Sequence, residues 1–288
     1  MPPEDLTMTL ADGRTLAWAE YGVPEGRCVL FFHGGNDSRL AGRLLDDAAA
    51  RAEVRLICPD RPGYGASTFL AGRTFLDWAS DVSRLADEVG IAGYGIVGHS
   101  GGGPHALACA YANPGRVHSV ATVSSPAPPE APNRGLHPAF RFMNLLFKSP
   151  ALYRPMAKNQ LKQMAASPER WLSVWGRMQP ADGELFRRQP EVAHEIIAEM
   201  TEGARQGVSG IVHEASLYHA GWGFGLREVA TSSQVWHGRR DRQAAVGWSE
   251  FLAEELPHAS LRIDMEGGHF STLITNAQEI LTGIASGP

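Results

Sequence analysis

The sequence predicts an α/β architecture: a mostly parallel sheet with helices on both faces, interrupted late in the chain by a long helical insertion. Three observations carry this. Short continuous apolar runs alternate with helix-patterned segments through residue 125, as expected of strands covered on both sides. The alternation stops at residue 126, where prolines punctuate a stretch without strand-turn pattern, and it resumes at residue 229. With 288 residues, 43% hydrophobic and 20% charged, the chain can bury a large core.

The elements follow in order. Residues 7–10 and 15–21 flank Ala11-Asp12-Gly13-Arg14 and read as an antiparallel hairpin on an Asp-Gly turn. Apolar runs at 28–33, 54–58 and 93–98 are strands, and helical spacing marks 40–50 and 75–89 between them. A helix at 103–110 and a strand at 118–124 come next. In the insertion, helix-favouring stretches lie between prolines at 140–147, 160–166, 169–178, 192–206 and 210–220. A strand at 233–238, a helix at 246–256, a strand at 260–265 and a helix at 270–285 complete the pattern. The expected division is a core of residues 1–125 and 229–288 with a helical cap of residues 126–228. Such a cap lies over the carboxyl edge of the sheet, where open α/β folds bind ligands.

Composition narrows the function classes. A net charge of −5 leaves no basic stripe for nucleic acid, and no Lys/Arg cluster marks an anionic membrane surface. The start, Met1-Pro2-Pro3-Glu4-Asp5-Leu6, has neither the basic nor the apolar region of a signal peptide. No apolar run approaches the ~18 residues of a membrane span, and a cytoplasmic location is expected. Cys28, Cys58 and Cys109 are odd in number, each inside an apolar segment, and read as free thiols. His213-Glu214 lacks the second histidine of a metalloprotease helix, and Gly101-Gly102-Gly103 lacks dinucleotide-loop spacing, so neither metal nor cofactor is expected.

The most informative local feature is Gly98-His99-Ser100-Gly101-Gly102, set between a buried strand and a helix. That turn forces the serine into strained backbone, and a side chain at Gly98 or Gly102 would collide with the neighbouring strand or helix. Further signals sit at strand ends: His33-Gly34-Gly35-Asn36, Asp60-Arg61-Pro62-Gly63-Tyr64-Gly65, and Asp241 and His269 after the last two strands. Carrying these in this order, the chain resembles the α/β-hydrolase superfamily over essentially its whole length, in its serine-hydrolase, esterase- or lipase-like branch with a helical cap. The resemblance implies an α/β-hydrolase fold and an acyl-enzyme intermediate formed on a small to medium, partly apolar small-molecule substrate. Serine at the elbow sets the chain apart from the haloalkane dehalogenase and epoxide hydrolase branches, which use aspartate there.

A serine hydroxyl needs a base within hydrogen-bond reach and a third group to orient that base. His269, in the turn Gly267-Gly268-His269-Phe270-Ser271, is the candidate base, with His237 its rival. His118, His137, His194, His219 and His258 read as surface or core residues. His33 and His99 adjoin the site as loop braces, and His99 is also counted toward the substrate pocket. For the acid, the resemblance offers the position after the strand preceding the cap, held here by Ser124-Ser125, or the one after the strand following it, held by Asp241. Asp264 and Glu266 are weaker alternatives, and Asp241 has Arg239, Arg240 and Arg242 as competing surface partners.

Backbone amides fixed before the reaction suit an oxyanion. One is that of Gly101, at a helix start whose dipole favours negative charge. By similarity to the family's His-Gly-X loop the other is that of Gly35, with Gly34 allowing close backbone approach and counted, like Asn36, toward the substrate pocket. Asn36-Asp37 stands where relatives often have proline. Asn36 either bonds substrate or caps the helix at Leu40. Asp60 and Arg61 are read as tying their loop down. Trp171, Trp175 and Trp222 are the cap residues expected to wall the pocket. An acyltransferase, a C–C bond hydrolase and a non-catalytic ligand receptor remain open on the same fold, and the sequence says nothing of oligomeric state.

Overall fold

The computed structural model describes residues 5–286. The chain begins with the hairpin β1 (Leu6–Thr9) and β2 (Thr15–Gly22), then β3 (Arg27–Phe32). A 3-10 turn, Arg39–Leu45, runs into α1 (Asp46–Arg51), where the sequence suggested one continuous helix. There follow β4 (Val54–Pro59), α2 (Phe75–Glu88), β5 (Tyr94–His99), α3 (Gly102–Ala112) and β6 (Val117–Val123). Six helices come next: α4 (Pro138–Phe147), α5 (Pro150–Ala166), α6 (Pro168–Met178), α7 (Pro180–Arg188), α8 (Pro190–Gly203) and α9 (Ser209–Leu217). The chain closes with β7 (Ser232–Gly238), α10 (Val246–Glu255), β8 (Ala259–Asp264), α11 (His269–Thr275) and α12 (Ala277–Ala285).

The strands form one sheet in the order β1-β2-β4-β3-β5-β6-β7-β8. β1 and β2 pair antiparallel, as does β2 with β4, and every later pairing is parallel. Strand alternation then sorts the core into two layers. Leu30, Phe32, Ile96, Val120 and Val235 pack with Trp78, Val82, Leu107 and Leu252 of α2, α3 and α10. Val29, Phe31, Val97, Ala121 and Val123 face Ala49 of α1 and Ile280, Leu281 and Ile284 of α12.

Helix boundaries in the insertion differ from expectation for one reason. Pro138, Pro150, Pro168, Pro180 and Pro190 each stand in the first turn of a helix rather than ending one. A first-turn N–H has no intrahelical acceptor, so its loss there is harmless and the fixed φ is already helical. Hence α7 exists where no helix was expected, and α5 starts ten residues before residue 160, carrying Pro155 inside it. The last helix divides at Asn276, whose side-chain amide bonds Asp264 and the Thr272 carbonyl. Cys58 and Cys109 are buried, Cys28 is half-buried, and all three thiols are free. Among the described residues no helix is long and apolar enough to cross a membrane.

Candidate active site

Ser100 follows β5 with φ of 49°, the left-handed conformation that an L-residue adopts only when its surroundings enforce it. Its amide bonds the Val123 carbonyl at 2.8 Å, and its carbonyl accepts from Gly103 at 3.0 Å, so the turn is fixed from both sides. A methyl on Gly98 would meet the Gly102 carbonyl at 2.5 Å and the Gly103 Cα at 2.8 Å; one on Gly102 would run into the Phe32 carbonyl. This close approach of strand and helix lifts the serine side chain off the carboxyl end of the sheet.

Two other strand ends complete a line of side chains. His269 Nε2 lies 3.0 Å from Ser100 Oγ, and His269 Nδ1 lies 2.9 Å from Asp241 Oδ2. With Nδ1–H donating to Asp241, Nε2 presents a lone pair to the serine hydroxyl. Asp241 Oδ1 accepts from the amides of Gln243 at 2.8 Å and Ala244 at 3.0 Å. Burial would raise this carboxyl, but His269 and these hydrogen bonds outweigh it and hold it at about 2. Burial acts on His269 in the opposite sense, and the Asp241 carboxylate outweighs it, keeping the imidazole above its ordinary value.

The alternatives are occupied elsewhere. His237 Nδ1 pairs with Ser249 Oγ at 2.9 Å. Asp264 caps its own turn through the Glu266 and Gly267 amides, and Glu266 stands exposed beside Arg240. Arg240 pairs with Glu184 and Glu266 rather than with Asp241.

The loop after β3 brings Gly35 beside the serine turn: a methyl on Gly101 would sit 3.1 Å from the Gly35 nitrogen. Arg61 fixes this loop. Its guanidinium donates to the His33 carbonyl and, at 2.8 Å, to the Gly34 carbonyl. In a planar trans peptide the N–H points opposite to the C=O, so the Gly35 N–H faces away from Arg61. Tyr64 in turn holds the Gly35 carbonyl at 2.7 Å. Asp60 and Arg61 both tie loops down, as the sequence suggests, but through separate partners: Asp60 binds Arg39 at 2.9 Å and the Ala66 amide, also at 2.9 Å.

Several site residues carried no recognised sequence signal. Glu214 of α9 receives Arg61 Nε at 2.8 Å, Arg61 Nη2 at 2.6 Å, Arg73 at 2.6 Å and the Tyr218 hydroxyl at 2.6 Å. Burial would raise its carboxyl, but the two arginines hold it far below the usual range. The Tyr218 hydroxyl thereby sits directly over Gly101 and close to Gly35. Gln243 Nε2 comes 3.1 Å from His269 Nε2 and shares that lone pair with Ser100. Asp37 lines the same space, and burial pushes its carboxyl up to about 6. From α7, Asp182 Oδ1 accepts from the Phe270 amide at 3.1 Å and the Ser271 amide at 3.0 Å, capping the helix that begins with His269.

Ser100, His269 and Gly35 open on a cavity of about 450 Å³. Its walls include Phe140, Met164, Met200 and Phe270 together with Trp171 and Trp175, whose rings stack 5.3 Å apart. Asn36 lines it too, while the cap of the following turn is Ser38, which accepts from the Leu40 amide at 3.3 Å. Three expected pocket residues lie elsewhere. Trp222 is buried in the core against Phe75 and Phe224, because its loop folds down onto α2 rather than under the inserted helices. His99 is buried behind the site, where its Nε2 bonds the His269 carbonyl at 3.1 Å; burial, then His269, lowers it to about 3, so it is a neutral brace. Gly34 is covered by the Asp37 carboxyl and gives no wall.

Residues 27–274 match the family model for the alpha/beta hydrolase fold. The chain belongs to that family. The dihydrolipoyllysine-residue acetyltransferase component of the acetoin cleaving system from Pseudomonas putida is 35% identical over 54% of this chain, although the match spans 40% of its own length. The 2-hydroxymuconate semialdehyde hydrolase of Pseudomonas putida is 25% identical over 86% of this chain and 83% of that protein. Among solved structures, an esterase from Exiguobacterium antarcticum superposes with a TM-score of 0.71 at 16% identity, covering 98% of both chains. At that identity the likeness concerns the fold.

Asp182 is the contact by which the inserted helices reach the His269 turn, and its effect is separable. Asp182→Ala strands two buried amides and should lower unfolding free energy in urea by about 2–3 kcal/mol. Asp182→Asn, which keeps the acceptor, should retain most of that stability.

Proposed function

We propose that this protein is a serine hydrolase that cleaves an ester, or a related acyl bond, of a small to medium, partly apolar substrate through an acyl-enzyme. The observation that carries the reading is the alignment of Asp241, His269 and Ser100 at hydrogen-bond distances on a strained turn at the floor of an apolar cavity. Ser100 Oγ attacks the carbonyl carbon as its proton passes to His269 Nε2. Asp241 stabilises the imidazolium, and the amides of Gly35 and Gly101 receive the oxyanion. Collapse breaks the bond to the leaving alcohol, which takes the proton from His269. Water then repeats the sequence on the acyl-serine, giving its proton to His269 and releasing the acid with Ser100 restored. Trp171, Trp175, Phe140 and Met164 supply the wall against which the apolar portion rests.

A second reading, hydrolysis of a C–C bond beside a carbonyl on the same three residues, draws on the long match to the 2-hydroxymuconate semialdehyde hydrolase. Parallel assays with acyl esters and with a vinylogous diketone separate the two, and an added alcohol or thiol shows whether water is the only acceptor.

A fluorophosphonate should add to Ser100, located by peptide mass spectrometry, and Ser100→Ala should lose both the adduct and ester turnover. Undiminished turnover in that variant would refute the assignment. The acid comes under test through pH. The base must be neutral to accept the serine proton, so kcat/KM should fall as pH drops through the His269 pKa, which the Asp241 carboxylate raises above the ordinary value of 6.5. Removing that charge in Asp241→Asn leaves burial, which lowers the pKa, opposed only by the smaller pull of Asp182 and Asp37. The acid limb should therefore move to lower pH while kcat falls by roughly 10⁴-fold; a limb that stayed in place would point to a different partner.

A further inference from the structure

The helices that roof the cavity also carry a surface the proposed reaction does not use. On α4, Phe142 is 63% and Leu145 59% exposed, and Leu152 in the first turn of α5 is 61% exposed. Phe142 and Leu152 lie outside the cavity walls, so a substrate in the cavity does not cover them. All three fall within eleven residues of chain across the α4–α5 turn, and large apolar side chains left exposed so close in the chain call for a contact that takes them out of water.

The surrounding charge identifies the contact. From Ala131 to Pro168 the chain has no Asp or Glu, yet it carries Arg134, Arg141, Lys148, Arg154, Lys158 and Lys162, all exposed. Those three lysines are the only ones in a chain of net charge −5. Arg134 pairs with Glu250 and Arg154 bonds Ser209; Arg141 and the lysines have no carboxylate partner among the described residues. Arg141 and Leu145 of α4 and Lys148 at its C-cap recur at helical spacing, and all three are exposed while also lining the cavity.

We propose that α4 and α5 dock on an anionic lipid surface, with Phe142, Leu145 and Leu152 entering the headgroup boundary while Arg141, Lys148, Lys158 and Lys162 meet lipid phosphates. On the ester-hydrolase reading, an apolar substrate dissolved in that lipid reaches Ser100 through a cavity that opens on the docked face. This departs from the expectation of no membrane contact. The cations are spaced four to seven residues apart among apolar residues, so no basic cluster stands out in the sequence.

The test is sedimentation of the full chain with vesicles of phosphatidylcholine alone and of phosphatidylcholine mixed with phosphatidylglycerol. The protein should bind the mixed vesicles, and added salt should weaken that binding. Partitioning should be roughly tenfold or more weaker for Lys158→Glu with Lys162→Glu and for Phe142→Ser with Leu152→Ser. Both double variants should keep the wild-type rate on a short soluble ester, since none of the four residues lines the cavity. Absence of binding to mixed vesicles, equal binding to both vesicle types, or partitioning indifferent to both double variants would overturn the proposal. So would wild-type self-association abolished by Phe142→Ser with Leu152→Ser, which would assign the face to a second copy.

Discussion

A buried ion pair, Arg61 with Glu214, is the constraint on which the loop after β3, and with it the Gly35 amide beside Ser100, depends. Both side chains are withdrawn from water, with relative exposures of 0% and 1%. A pair so placed persists only when its remaining hydrogen-bonding capacity is met. Here it is: Arg61 spends its other donors on the His33 and Gly34 carbonyls, and Glu214 takes Arg73 and Tyr218 as well. The pair therefore joins the loop after β3, the loop after β4 and an inserted helix. It sets the direction of the Gly35 amide and the place of the Tyr218 hydroxyl together.

Chemistry and shape have separate sources in this fold. Ser100, Asp241 and His269 stand at ends of strands whose register is fixed by parallel pairing across the sheet. The cavity wall comes largely from helices between β6 and β7, which meet the sheet edge carrying those three side chains through a few polar contacts. Asp182 caps the His269 helix from α7, and Glu214 braces the loop after β3 from α9. Such an arrangement lets the wall vary while the three side chains keep their distances.

How much of this was legible in the sequence follows from how local each cause is. The serine turn, His269 and the strand ends were legible because glycine spacing and continuous apolar runs are local signals. Most core elements matched within a few residues for the same reason. The inserted helices were blurred because proline signals both the start and the breaking of a helix, and only the tertiary contacts tell which. Trp222 was misplaced since an aromatic side chain reads alike in a core and in a pocket. Glu214, Asp182 and Gln243 act through partners far away in the chain, a relation that no spacing rule expresses, and Tyr218, four residues after Glu214, meets Gly101 and Gly35 only through the fold.

That the buried pair sets the geometry of the Gly34–Gly35 loop, to which the proposed mechanism assigns an oxyanion donor, is tested most directly by the steady-state kinetics of Glu214→Gln. The measurement belongs at a temperature where circular dichroism shows the variant folded. The neutral amide keeps the shape but releases Arg61 and, through it, the Gly34–Gly35 peptide. The account predicts kcat lowered by roughly 10²-fold or more, the scale of a lost oxyanion donor, with KM little changed. A folded Glu214→Gln protein turning over at the wild-type rate would contradict it.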